Sequence, residues 1–240
     1  MIIGAGGDAA HDGLPVLIVT GLKQEAQIAA GPGLTVVCSS SNPVQLRELM
    51  TTFDPATVRG IVSFGVAGGL DPALQSGDIM IATEVVTASE RWSTVAALSD
   101  KLVSLPQLGP HRIVPGVLVG VEEVVLGQLG KAALRATTGA AAVDMESHIA
   151  ARYAARHNLP FAAVRVISDP AHRALPELAA AALKPDGNID IWKVMRGIAR
   201  KPSDIRALVS SGRDFKRALR SLRGVRGLLD GSGDFAPAEA

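Results

Sequence analysis

Short apolar runs rich in β-branched residues recur along this chain, with helical segments between them. Val16–Thr20, Leu34–Cys38, Gly60–Phe64, Asp78–Val86, Ile113–Val121, Ala140–Val143 and Phe161–Ile167 each read as a buried strand, although Pro115-Gly116 interrupts the fifth. Lys23–Ala30, Asn42-Pro43 through Met50, Glu122–Ala136 and Glu146–His157 read as helices, with Pro43 at a first helical position. Strands alternating with helices need a largely parallel sheet covered on both faces, which is an α/β fold. Aromatic residues make up only 3% of the chain and apolar residues 48%, so Val, Ile, Leu and Ala fill the core.

The pattern divides the chain. Residues 1–14 read as a flexible N-terminus, 15–176 as the α/β core, 177–230 as a basic helical C-terminal extension, and 231–240 as a flexible tail. Within the extension, Leu178–Leu183, Ile189–Arg200 and Ser203 to about Leu229 read as helical, with Pro185-Asp186-Gly187 as a break. From Lys193 to Arg226 the charge is +9, which leaves −8 on the rest of a chain whose net charge is +1.

Several classes fall away on composition. One cysteine, Cys38, excludes an internal disulfide framework, and its place at the end of an apolar strand makes it a core thiol. No apolar run is long enough to span a bilayer, and the N-terminus has no basic region or long apolar segment, so the expected location is cytoplasmic. Gly4-Ala5-Gly6-Gly7-Asp8-Ala9 matches a dinucleotide fingerprint in letters, but only three residues precede it, too few for the required strand. The basic tail with few aromatics and no known motif gives no case for nucleic acid.

Ligands of open α/β sheets sit beyond the carboxyl ends of the strands. Four segments lie there: the turn after Thr20, the Gly65-Val66-Ala67-Gly68-Gly69 loop, the Met145-Glu146 junction, and Ser168-Asp169. The glycine loop lets backbone N–H groups approach an anion or a ribose, or is simply a tight connection. Asp169 before Pro170 suits a turn, Glu146 suits a helix first turn, and Glu25 suits a solvated helix face. Their joint occurrence is what points to a site.

That combination resembles the nucleoside phosphorylase and nucleosidase family. Gly65 through Pro72 with Gly77-Asp78-Ile79, Val143-Asp144-Met145-Glu146, Pro160-Phe161 through Arg165-Val166-Ile167-Ser168-Asp169, and Thr20-Gly21-Leu22-Lys23-Gln24-Glu25 are similar to segments of methylthioadenosine/S-adenosylhomocysteine nucleosidases. The resemblance covers roughly Pro15 to His172 and implies a three-layer α/β/α fold with a central mixed, largely parallel sheet, phosphorylase/hydrolase-like. It implies that Asp169 protonates purine N7, Glu25 orients the attacking water, Glu146 holds the ribose hydroxyls and Met145 packs on the sugar. It also implies binding roles for Ser168, for Gly65, Ala67 and Gly68, and for Glu123 and Val124, whose main-chain atoms would hold the base. No metal or cofactor is implied.

The chain departs from the nucleosidases in Val85-Val86-Thr87-Ala88-Ser89 and in its long basic tail. With Ser168-Asp169-Pro170-Ala171-His172-Arg173, these features look more like the hopanoid-associated phosphorylase branch, linked to release of adenine from adenosylhopane. Inorganic phosphate as co-substrate would need a donor such as Arg47, Arg91 or Arg173, whereas Glu25 suits hydrolysis. A methylthioadenosine/S-adenosylhomocysteine-type nucleosidase is the alternative, and a non-catalytic nucleoside-binding protein is the alternative of another class. The tail carries Phe215, Leu219, Leu222, Val225 and Leu229 at helical spacing among Lys and Arg. It is expected either to contact an anionic membrane or to pack on the body or a second subunit of a homo-oligomer.

Overall fold

The computed structural model describes residues 2–4, 13–95, 112–174 and 205–230. The strands are β1 (Ile2–Gly4), β2 (Val16–Thr20), β3 (Leu34–Cys38), β4 (Gly60–Gly69), β5 (Ile79–Val86), β6 (Arg91–Ser93), β7 (Ile113–Gly120), β8 (Ala142–Asp144) and β9 (Phe161–Asp169). The helices are α1 (Lys23–Ala29), α2 (Pro43–Thr52), α3 (Gln128–Thr138), α4 (Ser147–Arg156), α5 (Ile205–Gly224) and the short α6 (Gly227–Asp230). No described helix is long and apolar enough to cross a membrane.

All nine strands join one mixed sheet. The sheet also closes on itself: β4 pairs with β9, β9 with β5, β5 with β7, β7 with β8, and β8 returns to β4. This closure brings β8 and β9, which are remote from β4 in sequence, against its two edges. Gly68 faces Val143 of β8 on one side and Asp169 of β9 on the other.

The two-residue period of each strand sorts its side chains into two cores. Val16 and Ile18 join Val62, Phe64 and Val164 on one face, under α1 and α5. Leu17 and Val19 join Ile61, Ala163 and Ile167 on the other, under α2 and α4. The helices start and stop where local chemistry dictates. Asn42 Oδ1 accepts from the Val44 and Gln45 amides to cap α2, and Gly139 ends α3 with a positive φ of 70°.

Several sequence expectations need correction. Gly65–Gly69 is not a loop but the second half of β4, because ladders on both sides pin a stretch that is too small to obstruct them. Ile2–Gly4 is not unstructured: it pairs antiparallel with β3 at the sheet edge, whereas a dinucleotide-binding strand belongs to a parallel βαβ unit. Residues 122–127 are not helical. Arg47 and His148 both bind the Glu122 carboxylate from outside the segment, and helix propensity of a few tenths of a kcal/mol yields to that. The expected helices over 178–183 and 189–200 lie outside the described residues.

The apolar stripe of the tail packs on the body. Leu219, Leu222, Val225 and Leu229 are buried with Ala218 and Leu228 in the core shared with β2, β3 and β4, and Phe215 packs against it. The apolar stripe therefore faces the sheet and offers no face for insertion into a bilayer. Each of its leucines contributes about 1.5–3 kcal/mol by leaving water. Arg213, Lys216, Arg217, Arg220 and Arg223 remain exposed on the outer side of α5.

Candidate active site around Arg165

Phe161–Asp169 is an apolar strand with one charge in its middle. Arg165 is completely buried, so its guanidinium must find partners in the interior. It forms an ion pair with Asp144 and lies 3.9 Å from Glu146. Its Nη2 donates to Ser63 Oγ at 2.6 Å and to Ser147 Oγ at 3.0 Å. These partners come from β4, from the end of β8 and from the start of α4, so the sheet closure assembles them. Nε and Nη1 of Arg165 find no acceptor among the described residues.

Glu25 lies within the electrostatic reach of this guanidinium. It lies one turn into α1, and its carboxylate turns back to the chain that enters the helix. Oε2 accepts from the Gly21 and Leu22 amides at 2.9 and 2.8 Å, and Oε1 accepts from the Val66 amide of β4 at 2.8 Å. Glu25 is therefore buried in a fixed orientation and is not a solvated helix residue. Burial pushes its pKa up, against the opposing pull of Arg165 and the three amides. Gly65 gives this arrangement its space. A Cβ there would stand 2.5 Å from Arg165 Nη1 and 2.7 Å from Glu25 Oε1. Gly65 thus leaves the space these side chains need, and the amide that Glu25 Oε1 uses belongs to Val66.

Glu146 completes the cluster. It follows the last residues of β8, is buried, and accepts from Ser39 Oγ at 3.3 Å. Its pKa is pushed up to about 7, first by burial and then by the Asp144 and Glu25 carboxylates, with Arg165 pulling the other way. The Ser39 contact rests on a strained turn: Ser40 and Ser41 adopt φ of 54° and 56°, held as Ser39 and Ser41 donate backbone N–H bonds to Thr20 O and Gly21 O. Met145, beside Glu146, is half-buried.

Asp169 ends β9. Its Oδ1 accepts from Ser168 Oγ at 2.6 Å, and Ser168 Oγ also lies 3.2 Å from Ala67 O. Its Oδ2 forms an ion pair with Lys131 Nζ at 2.7 Å. Glu25, Glu146, Ser168, Asp169, Gly65, Ala67 and Gly68 thus all attach to β4 or to the strands beside it. Glu123 and Val124 are exposed on the segment between β7 and α3. Sequence reasoning passed over Arg165 and Lys131. A lone arginine between Val164 and Val166 was a usable signal, since a buried strand keeps a charge only when it is paired. Lys131, within a mixed helical stretch, carried none.

The arginines considered as phosphate donors are all engaged elsewhere. Arg47 pairs with Glu122, Arg91 pairs with Glu84, and Arg173 lies 3.1 Å from Asp214. The guanidinium at the cluster is Arg165 instead.

A family model for the phosphorylase superfamily matches residues 15–185. The chain belongs to the phosphorylase superfamily. Solved structures share its fold. A Campylobacter jejuni 5′-methylthioadenosine/S-adenosylhomocysteine nucleosidase is 14% identical with a TM-score of 0.65, covering 91% of this chain and 100% of that one. A Helicobacter pylori futalosine hydrolase is 16% identical with a TM-score of 0.64, covering 92% of this chain and 97% of that one. A Colwellia psychrerythraea 5′-methylthioadenosine/S-adenosylhomocysteine nucleosidase, solved with adenine, is 18% identical with a TM-score of 0.63, covering 90% and 95%. The three-layer α/β/α expectation with a mixed sheet therefore holds across the superfamily fold.

Proposed function

We propose that this phosphorylase-superfamily chain cleaves the N-glycosidic bond of an adenine nucleoside by hydrolysis. The observation that carries the reading is the juxtaposition of the buried Glu25 and Glu146 carboxylates about the Arg165 guanidinium, with Asp169 three pairings further along β4 and β9. Departure of the base leaves a ribosyl cation. Anionic groups beside the sugar stabilise it, and a proton delivered to the base lowers the barrier to departure. In this reading Asp169 delivers the proton to N7 and the bond electrons pass to the base. Water adds to the sugar carbon, and Glu25 takes its proton. Glu146 accepts hydrogen bonds from the ribose hydroxyls, Met145 packs on the sugar, and main-chain atoms of Glu123 and Val124 hold the base.

Water is favoured over phosphate by charge. Arg165 is already shared between Asp144 and Glu146, and Glu25 adds a further carboxylate. A phosphate dianion would meet an excess of its own sign. One observation favours the second reading, phosphorolysis: Nε and Nη1 of Arg165 lack acceptors among the described residues, and a phosphate oxygen would supply one. Product analysis with and without inorganic phosphate separates the two. Free ribosyl product formed at the same rate in both supports hydrolysis, and a phosphate-dependent sugar 1-phosphate overturns it.

The substrate we propose is adenosylhopane, a nucleoside with a lipid at its 5′ position. The resemblance of Ser168-Asp169-Pro170-Ala171-His172-Arg173 and of the basic tail to the hopanoid-associated branch supports this reading. So do exposed Val124 and Leu129, apolar groups on the segment that Gln128 Nε2 ties to His172 O beside the acid. Release of adenine from adenosylhopane, compared with release from 5′-methylthioadenosine, tests it. A clear preference for the latter assigns the chain to the methylthioadenosine-type alternative.

A further inference from the structure

Lys131 is the one fully buried lysine among the described residues, with its side chain 1% exposed. It rises from α3, and its ammonium points at the far end of β9. Nζ donates to the Asp169 carbonyl at 2.9 Å, to Asp169 Oδ2 at 2.7 Å, to the Pro170 carbonyl at 3.1 Å and to the Arg173 carbonyl at 3.2 Å. Four acceptors compete for three N–H donors, so the charge is fully solvated by protein oxygen. Three of the acceptors are neutral carbonyls. The fourth is Oδ2 of the residue assigned as the acid.

The order of burial gives the arrangement a direction. The Lys131 side chain is sealed inside, whereas the Asp169 side chain is 15% exposed. Oδ2 is therefore tied to the interior, and Oδ1 lies on the side of Ser168 Oγ. We infer that Lys131 is the positioning residue of the acid. It fixes the carboxylate through Oδ2 so that Oδ1 is the oxygen presented to the leaving base. It also clamps the turn from Asp169 to Arg173, so the acid and the chain that follows it move as one body. The inference rests on the assignment of Asp169 as the acid.

A structural clamp needs only the carbonyl bonds, whereas a positioning residue acts through the carboxylate, and a double-mutant cycle distinguishes them. The variants are Lys131→Met, Asp169→Asn and the pair, measured by adenine release from 5′-methylthioadenosine and from a short-alkyl 5′-substituted adenosine. Lys131→Met should lower kcat roughly tenfold to a hundredfold while KM moves less than about threefold, because a misplacement of an ångström costs on this scale. Asp169→Asn should lose about 10²-fold or more. The double variant should be no slower than Asp169→Asn alone, within about threefold. Losses that multiply in the pair, or normal kcat in Lys131→Met, overturn the inference. Normal turnover in folded Asp169→Asn instead removes the acid assignment beneath it. If Lys131→Met does not fold, Lys131→Gln, which retains donors, replaces it in the same cycle. If neither folds, Lys131 is a clamp alone and the inference falls.

Discussion

Glu25 and Arg165 both reach into the space that a side chain at residue 65 would fill, and Gly65 leaves that space open. A methyl group at this position would stand 2.7 Å from Glu25 Cδ and 2.5 Å from Arg165 Nη1, closer than real Cβ atoms come. Both side chains are buried and held by other bonds, so neither yields cheaply.

Gly65→Ala is therefore expected to displace one or both side chains. Overpacking of this kind costs about 1–3 kcal/mol, and the displaced Glu25 should lower turnover much more than stability. Thermal unfolding and adenine release check this together. Turnover equal to wild type in Gly65→Ala would show that the close approach has no bearing on catalysis.

Glu146 should make the enzyme selective for ribose. A hydrogen bond to a charged acceptor contributes roughly 1.5–3 kcal/mol, so a 2′-deoxynucleoside should react about ten to a hundred times more slowly. The gap should shrink in Glu146→Gln. Equal rates on the two sugars in the wild-type protein would dismiss Glu146 as the ribose acceptor.

The raised pKa of Glu146 makes two further statements. Burial, followed by Asp144 and Glu25, holds it at about 7 despite Arg165, so the ionised acceptor predominates only above neutrality. kcat/KM should rise with pH through about 7 in wild type. Stability moves the opposite way. The folded protein binds this proton more tightly than the unfolded chain, whose carboxylate titrates near 4.3. The contribution is fully present below that value and is lost as pH climbs to about 7. Glu146→Gln keeps the neutral form, so it should melt higher than wild type at pH 8, with the difference fading toward pH 5. A pH-independent difference in Tm would contradict the shift.

The outer face of α5 should bind anionic surfaces by charge alone. Arg213, Lys216, Arg217, Arg220 and Arg223 are exposed, while the apolar stripe is locked in the core. Each basic residue near an anionic membrane contributes about 1 kcal/mol, screened by salt. Wild type should sediment with anionic vesicles at low salt and release at high salt. Lys216→Glu with Arg217→Glu and Arg220→Glu should abolish this without slowing cleavage of a short-chain nucleoside. Binding that survives both charge reversal and salt would defeat the electrostatic account.

The pattern of apolar runs determined that this chain builds a helix-covered sheet. The local carboxylates Glu25, Glu146 and Asp169 could be picked out beside strand ends, because strand and helix periods are written in neighbouring residues. Other features depend on contacts between remote segments. Gly65–Gly69 reads as a loop until β8 and β9 pair with it from both sides, since glycine has no local preference strong enough to declare a strand. The stripe on α5 is amphipathic whether it meets a membrane or a sheet, and only packing against Val16, Ile18 and Val62 chose the sheet. Arg165 and Lys131 acquire meaning from partners that the closed sheet delivers: Asp144 and Glu146 for one, Asp169 for the other. A buried charge is stable only beside its counter-charge, and that pairing is decided in three dimensions.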